Sequence, residues 1–322
     1  MGSDQFFSLT SQDIDEIPTV LSGWEMEWRQ LSRGCFRGQL KFAQFESIAL
    51  FYLSWDQAVQ IQGSFPPETI CFGIEISSQG KAVWRGFKYS NQDVLISSDR
   101  EIDLKVPAGY EMFIVAVERE LLLEYADLQQ RCLCQEDLRK NLGRANSAAL
   151  NAIKAYLQSN FALLKLDLDD PQIYPDAQSV TQDVVSLLIT VLLSTEDFSA
   201  QLSHSLQRVQ LVKQLEQYML AHLDQPLTIE QLCAIAGISE RSLNNYFHDL
   251  LDISPIAYFK ALRLNRVRSA LKLADPTIDK VTSIAKQLGF QHMGYFSMDY
   301  KAMFGESPSK TLWRSVYQTQ HL

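Results

Sequence analysis

The feature that most constrains this chain of 322 residues is an internal repeat near its C-terminal end. One set of positions recurs after 52 residues, in the pairs Ile229/Val281, Leu232/Ile284, Cys233/Ala285 and Gly237/Gly289. A second set recurs after 53 residues, in the pairs Leu243/Phe296, Phe247/Tyr300, Leu251/Phe304, Ser254/Ser307 and Pro255/Pro308. In each copy a glycine separates two segments whose apolar residues have helical spacing. The repeat therefore predicts two helix-turn-helix units.

Local end signals define the helices of the first unit. Thr228 and Gln231 form a capping-box pattern, Gly237 is expected to end the first helix, and Ser239 can cap the second.

A long helix is predicted between the two units, from Ser254-Pro255 to Asp275-Pro276. About 18 residues at about 1.5 Å each span about 27 Å. With helix widths added, the second helices of the two units are expected roughly 34 Å apart, the length of one DNA turn. Because such a helix fits the major groove, one chain is predicted to read two successive grooves.

Residues 225–315 resemble the DNA-binding domain of the AraC/XylS family of bacterial transcription regulators. The resemblance is carried by LCAIAGISERSLNNYF, SPIAYFKALRLNRVRSAL and VTSIAKQLGFQHMGYFSMDYKAMFGESPSKTL. It implies binding to promoter DNA, a partnership with RNA polymerase, and activation more often than repression. Asp252 departs from the family pattern, where glycine is usual. The second reading helix departs as well, since it carries Met293, Gly294, Tyr295 and Met298 where polar or basic residues are usual.

Base reading is expected from Arg241, Asn244 and Asn245 in the first reading helix. Arginine suits the guanine O6/N7 edge and asparagine the adenine N6/N7 edge, and the resemblance assigns base reading to these positions. The alternative is that the two asparagines contact only phosphate or water.

In the second reading helix, the resemblance assigns the groove-facing positions to Tyr295, Ser297 and Met298. Since few of these side chains can make bidentate contacts, weaker reading through thymine methyl groups and DNA shape is expected. By their spacing, Phe296 and Tyr300 are predicted to be core residues.

Phosphate contacts are expected from His292, Arg266 and Arg268. His292 could instead only cap its helix. The arginines of the connecting helix could instead pair with acidic side chains, which is the preferred interpretation for Arg263, with Asp249, Asp275 or Asp299 as partners.

The charge is distributed unevenly along the chain. The net charge is −9, yet residues 205–322 carry 13 Lys/Arg against 10 Asp/Glu, whereas residues 1–204 carry 16 against 28. This indicates that only the C-terminal part approaches phosphate. Chance variation of surface charge is the alternative.

Residues 35–117 show the period-two pattern of short strands with turn signals between them. Strands are predicted at 42–45, 48–53, 58–61, 69–76, 82–87, 93–96, 102–106 and 112–117. Their spacing indicates a small β-barrel or sandwich, and the family resemblance implies a cupin-like barrel that senses a small molecule. A second resemblance, to the start of such a domain, is carried by Trp24, Gln30, Leu31, Gly34, Phe36 and Gly38.

The expected fold class is α+β with two domains. A β-rich domain for effector binding or dimerisation covers residues 1–195, with packing helices from about 118 to 194. A linker at 196–206 leads to an all-α double helix-turn-helix domain at 207–322. Two broadly apolar helices, at 147–164 and 178–193, should each bury two faces. One face could cover the barrel, and the other could meet a second subunit or pack internally, so a homodimer is one expectation.

An enzyme is not expected. The first histidine in the chain is His204, so a His-ligated metal site in the N-terminal domain is excluded, and no phosphate loop or Gly-x-Ser-x-Gly elbow is present. No metal and no cofactor are predicted. An effector pocket is expected instead, with Trp55, Trp84, Arg85 and Tyr89 as candidate contacts, although such residues are usually core or solvated.

A cytoplasmic protein is expected. The five cysteines form no CxxC pair, and neither a leader segment nor an apolar run of membrane-spanning length is seen. The alternative to a transcription regulator is a β-barrel enzyme or a small-molecule-binding protein that retains a DNA-tethering domain.

Overall fold

The computed structural model describes residues 5–45, 47–163, 176–197 and 203–319. The chain divides into two compact units. The first comprises Met1–Trp28, Arg37–Asp56 and Ile61–Ser203, and the second comprises Arg29–Phe36, Gln57–Gln60 and His204–Leu322. The second unit therefore includes two short segments from the beginning of the chain.

The strands form two sheets. Their bounds are β1 Gln5–Ser11, β2 Glu25–Gln30, β3 Gly38–Phe45, β4 Ile48–Trp55, β5 Val59–Ser64, β6 Thr69–Ser77, β7 Ala82–Trp84, β8 Phe87–Tyr89, β9 Asp93–Ser97, β10 Glu101–Val106, β11 Tyr110–Glu118, β12 Leu142–Arg144 and β13 Glu196–Asp197. The larger sheet has eight strands in the order β1-β3-β4-β11-β6-β9-β12-β13, and the smaller has five in the order β2-β5-β10-β7-β8.

The helices of the first unit lie mostly after the strands. Their bounds are α1 Glu16–Thr19, α2 Arg119–Leu128, α3 Gln135–Leu138, α4 Ser147–Leu163 and α5 Ala177–Leu193. The later helices are α6 Ser203–Ala221, α7 Ile229–Ala236, α8 Glu240–Leu251, α9 Pro255–Leu273, α10 Val281–Gln287, α11 Met293–Phe304 and α12 Pro308–Thr319. Within the residues that the structure describes, no helix combines the length and apolar character needed to cross a membrane.

The larger sheet is buried on both faces because successive side chains of a strand point to opposite sides. On β4, Leu50 packs into the core that the sheet forms with α2, α4 and α5. The next residue, Phe51, contacts the Trp24 ring at 5.1 Å. Trp55 at the end of β4 contacts Trp28 of β2 at 5.2 Å, so this second face meets the smaller sheet.

The predicted fold class is confirmed: antiparallel strands dominate the first part of the chain and helices the last. The described strands form two sheets and not one closed barrel, so the sandwich alternative is the one adopted.

Three parts of the sheet differ from the sequence-based expectation. β1 and β2 lie before residue 35, where no strand was predicted. The predicted strand 82–87 is a hairpin, because Arg85 and Gly86 both have positive φ (50° and 87°) and reverse the chain between Trp84 and Phe87. In the region of packing helices expected from about 118 to 194, α2 ends at Leu128 and is followed by α3 and the short strand β12.

The two apolar helices behave differently from each other. α4 buries one stripe, formed by Leu150, Ile153, Leu157 and Phe161, and its opposite side is exposed. Within one chain α4 therefore buries a single face, and the expectation that its other face meets a second subunit stays a prediction. α5 buries a broader face, formed by Val180, Val184, Val185, Leu188, Ile189, Val191 and Leu192, in the core of the first unit.

The region around the predicted linker at 196–206 contains regular structure at both ends. Glu196–Asp197 form β13, and Ser203 begins α6, while residues 198–202 lie outside the described part of the chain. Residues 164–175, which make up most of the segment between the two predicted apolar helices, also lie outside it.

The helix signals of the first helix-turn-helix unit are confirmed. The Thr228 hydroxyl accepts from the Gln231 N–H and the Gln231 side chain accepts from the Thr228 N–H. Gly237 ends α7 in the left-handed conformation with φ 65°, and the Ser239 hydroxyl accepts from the Ser242 N–H at the start of α8.

Candidate nucleic-acid interface

α8 is the second helix of the first helix-turn-helix unit, and its polar residues lie opposite a buried stripe. The stripe consists of Leu243, Phe247 and Leu251. Arg241 and Asn245 are exposed and Asn244 is half-buried. The three predicted base-reading residues thus lie on the outer side of one helix, and their roles in base reading stay predictions.

The C-terminal end of α8 shows how the chain accommodates its departure from the family pattern. Asp252 is in the left-handed conformation with φ 55°, which glycine adopts more readily than a residue with a Cβ atom. Its backbone N–H donates to the His248 carbonyl. An aspartate therefore performs the cap that glycine usually forms.

α11 is the corresponding helix of the second unit, and it presents apolar side chains to solvent. Tyr295 is 73 % exposed and Met298 is 69 % exposed, and Ser297 beside them is exposed. Phe296 and Tyr300 are buried in the core of the unit, as predicted. Burial raises the pKa of Tyr300, whose hydroxyl donates to Thr311 Oγ1 at 2.9 Å.

His292 occupies the cap position of α11, but its side chain makes no capping hydrogen bond. The side chain is exposed, and its ring lies 6.4 Å from the Tyr295 ring in an edge-on arrangement. This geometry does not support the capping role and leaves the imidazole facing solvent next to the exposed side of α11.

The arginines of α9, the helix that joins the two units, have different environments. Arg266 is exposed. Arg268 is only 4 % exposed; its Nη1 atom lies 2.9 Å from Glu306 Oε1, and its guanidinium lies over the Phe304 ring. Arg268 is therefore not presented to a phosphate in this structure, and the predicted phosphate contact at this position is wrong.

Arg263 does not pair with any of the three aspartates expected as its partners. Its Nε–H donates to the Leu288 carbonyl at 2.7 Å, and its guanidinium lies 4.3 Å from the centre of the Phe290 ring. Burial lowers the pKa of Arg263. Of those three aspartates, Asp299 pairs with Lys260 at 3.0 Å.

A buried polar cluster beside α9 was not predicted. Glu216 of α6 accepts hydrogen bonds from the Tyr258 hydroxyl and from the Gln60 amide, and Arg29 Nη1 lies 3.6 Å from the same carboxylate oxygen. Burial raises the pKa of Tyr258 well above its ordinary value. All four residues belong to the second unit, so two residues from the beginning of the chain help to hold α6 and α9.

The four candidate effector-pocket residues have separate surroundings in the first unit. The Trp84 indole N–H donates to the Asn141 carbonyl, Arg85 pairs with Asp99, and the Tyr89 hydroxyl is hydrogen-bonded to Tyr110. Arg85 is thus already paired with a carboxylate, and its role as an effector contact stays a prediction.

Trp55 is buried, and its indole N–H has no hydrogen-bond partner among the described residues; the same holds for Arg85 Nε. Trp55 and Tyr110 also line an open cleft of about 470 Å³, whose rim includes Asp56 and Glu111. The cleft therefore brings one of the predicted effector contacts, Trp55, to an opening of the first unit.

Comparisons with known proteins agree with this geometry. A family model described as a helix-turn-helix domain matches residues 232–314. The probable thc operon regulatory protein of Rhodococcus erythropolis is 34% identical over 152 residues, which cover 46% of this chain and 46% of that protein, so the chain matches less than half of this relative. The XylDLEGF operon transcriptional activator 3 of Pseudomonas putida is 24% identical over 286 residues, which cover 87% of this chain and 83% of that protein.

A solved structure is similar to the C-terminal part. It is a probable AraC family transcriptional regulator from Rhodopseudomonas palustris CGA009, 40% identical, covering 33% of this chain and 97% of that chain with a TM-score of 0.30.

Proposed function

This chain belongs to the AraC/XylS family of transcription regulators, and we propose that it activates transcription by placing α8 and α11 in two successive major grooves of promoter DNA. The observation that carries this proposal is the pair of helices themselves. Each follows a glycine turn, buries one apolar stripe and leaves its other side exposed, and the 19 residues of α9 separate them.

The two helices are proposed to read DNA by different means. α8 offers the exposed Arg241 and Asn245 with the half-buried Asn244, whose groups match guanine and adenine edges. α11 offers Tyr295 and Met298, which suit thymine methyl groups and the shape of the groove. The first half of the DNA site should therefore be the more strictly specified.

Phosphate contacts are proposed for Arg266 and His292. Both side chains are exposed, one on the connecting helix and the other at the start of α11. Contacts of this kind position a protein on the duplex without specifying bases.

The remaining parts of the proposal concern regulation. The proposal includes a β-rich effector-binding domain at 1–195 and a DNA-binding domain at 207–322. It also includes a homodimer, RNA polymerase as a partner and a cytoplasmic location. Activation is supported by the printed function of the Pseudomonas putida relative. An effector is supported by the cleft beside Trp55, with its unpartnered indole N–H.

A double substitution, Asn244→Ala with Asn245→Ala in the full chain, tests base reading. The wild-type chain is expected to select a defined site from a randomised duplex pool. The variant should lose most of its preference for that site, since good bidentate contacts are worth ~1–3 kcal/mol each. Affinities are measured by titration at fixed salt. Asn151→Ala, at an exposed asparagine of α4, serves as the matched control and should bind as the wild type does. Wild-type preference in the double variant would contradict the proposal.

A further inference from the structure

We propose that Gln30 is a positioning residue that fixes the C-terminal end of the second reading helix, α11, and so supports reading of the second half of the DNA site. The inference rests on the proposed function, because it concerns how α11 is held for its groove. It assigns a role in DNA recognition to a residue about 200 positions before the helix-turn-helix repeat.

The last carbonyl groups of a helix have no partner within the helix and must be satisfied from outside. In α11 two of these groups accept from residues near the beginning of the chain. The Gln30 amide nitrogen Nε2 lies 2.6 Å from the Met303 carbonyl oxygen, and the backbone N–H of Gly34 donates to Ala302 at 3.0 Å and to Met303 at 3.2 Å. Residues 30–34 therefore cap the end of α11.

Gln30 is itself held on α9. Its backbone N–H donates to Asn265 Oδ1 at 3.0 Å, and Asn265 Nδ2 donates to the Gln30 carbonyl at 2.8 Å. Asn265 Nδ2 also lies 2.8 Å from the Ala261 carbonyl of its own helix. Gln30 and Asn265 are both buried. Gln30 thus links the two helices, binding α9 through its backbone and the end of α11 through its side-chain amide.

The same segment packs closely against the cap of α11. Gly305 ends the helix in the left-handed conformation with φ 73°, and a Cβ atom at this position would lie 2.8 Å from the Cβ atom of Cys35. A glycine is therefore needed at position 305 both for its backbone conformation and for the approach of Cys35.

The hydrogen bonds of this segment distinguish the second reading helix from the first. Among the described residues, the hydrogen bonds that residues 30–34 make to helices go to α9 and α11, and none goes to α8. Loss of the Gln30 amide should consequently disturb the second half of the DNA site more than the first.

The test uses the full chain with Gln30→Met, which keeps the side-chain length but cannot donate. The probes are the duplex selected by the wild type and two versions in which one half is scrambled. Discrimination is the ratio of Kd for a scrambled duplex to Kd for the intact one. For the second half it should fall by roughly tenfold, because the buried Met303 carbonyl loses the shorter of its two hydrogen bonds, while for the first half it should stay as in the wild type. Gln217→Ala, at an exposed glutamine of α6, is the matched control.

Asn265→Ala removes the two hydrogen bonds that hold the Gln30 backbone on α9. If Gln30→Met does not fold, the same measurement on Asn265→Ala decides the outcome. Unchanged second-half discrimination in the folded variants would overturn the inference, and so would an equal fall for both halves, since that would indicate a general loss of structure. A wild-type chain that selects no site would instead refute the proposed function.

Discussion

At the scale of single residues, α9 shows that two arginines of one helix can have opposite roles. Arg266 is exposed, whereas Arg268 is buried against Glu306 and Phe304. The free energy of a buried charge depends on its partner, and removing one partner leaves the other charge without compensation. An exposed arginine instead affects DNA binding through the counterions that it displaces from phosphate.

Substitution of each arginine by alanine should separate these roles. Arg266→Ala is expected to leave the free energy of unfolding unchanged and to lower the slope of log Kd against log salt by about one. Arg268→Ala is expected to reduce the free energy of unfolding by roughly 3–5 kcal/mol, since it breaks a buried pair. Salt titrations of DNA binding and urea unfolding of the full chain measure the two effects. A destabilised Arg266→Ala, or a stable Arg268→Ala, would contradict the assignment.

At the scale of helices and turns, the two turn glycines have different surroundings. Both are left-handed, with φ 65° at Gly237 and φ 77° at Gly289. A Cβ atom at position 237 would meet nothing within 4 Å. At position 289 it would lie 2.8 Å from the Asp224 carbonyl oxygen and would also meet the guanidinium of Arg263. The second turn is thus restricted by packing as well as by backbone conformation.

We expect Gly237→Ala to reduce the free energy of unfolding by about 1–2 kcal/mol, the energy of holding an L-residue in the left-handed conformation. Gly289→Ala should reduce it by more, because the backbone of Asp224 cannot move aside as a flexible side chain can. Urea unfolding of the two variants in parallel provides the comparison, each serving as the control for the other. Equal losses would show that the close approach at Gly289 has no energetic effect.

Elements defined by short-range signals were predictable from the sequence. The caps at Thr228, Ser239 and Ser254 follow from residues a few positions apart, and all are present. The hairpin at Arg85 was missed because it needs a positive φ at an arginine, which the sequence does not suggest.

The candidate site was predictable only where helical periodicity decides exposure. The outward positions of α8 and α11 follow from their apolar stripes. The burial of Arg268 could not be predicted in this way, because its partner Glu306 is 38 positions away in the sequence. Only the packing of α9 with α12 brings Arg268 and Glu306 together.

At the scale of the whole molecule, the division into units does not follow chain order. Arg29–Phe36 and Gln57–Gln60 belong to the second unit, where Leu31 contributes to the apolar core and Gln60 to the polar cluster around Glu216. Periodicity within a segment cannot predict such membership, because it depends on contacts across about 150 to 270 residues of sequence. A fragment that starts at residue 207 would lack both segments.

The central claim is that one chain enters two successive major grooves. Hydroxyl-radical footprinting of the full wild-type chain on the duplex that it selects tests this claim most directly. Two protected patches on one face of the duplex, centred roughly 10–10.5 base pairs apart, are predicted. A single protected patch, or two patches on opposite faces, would contradict it.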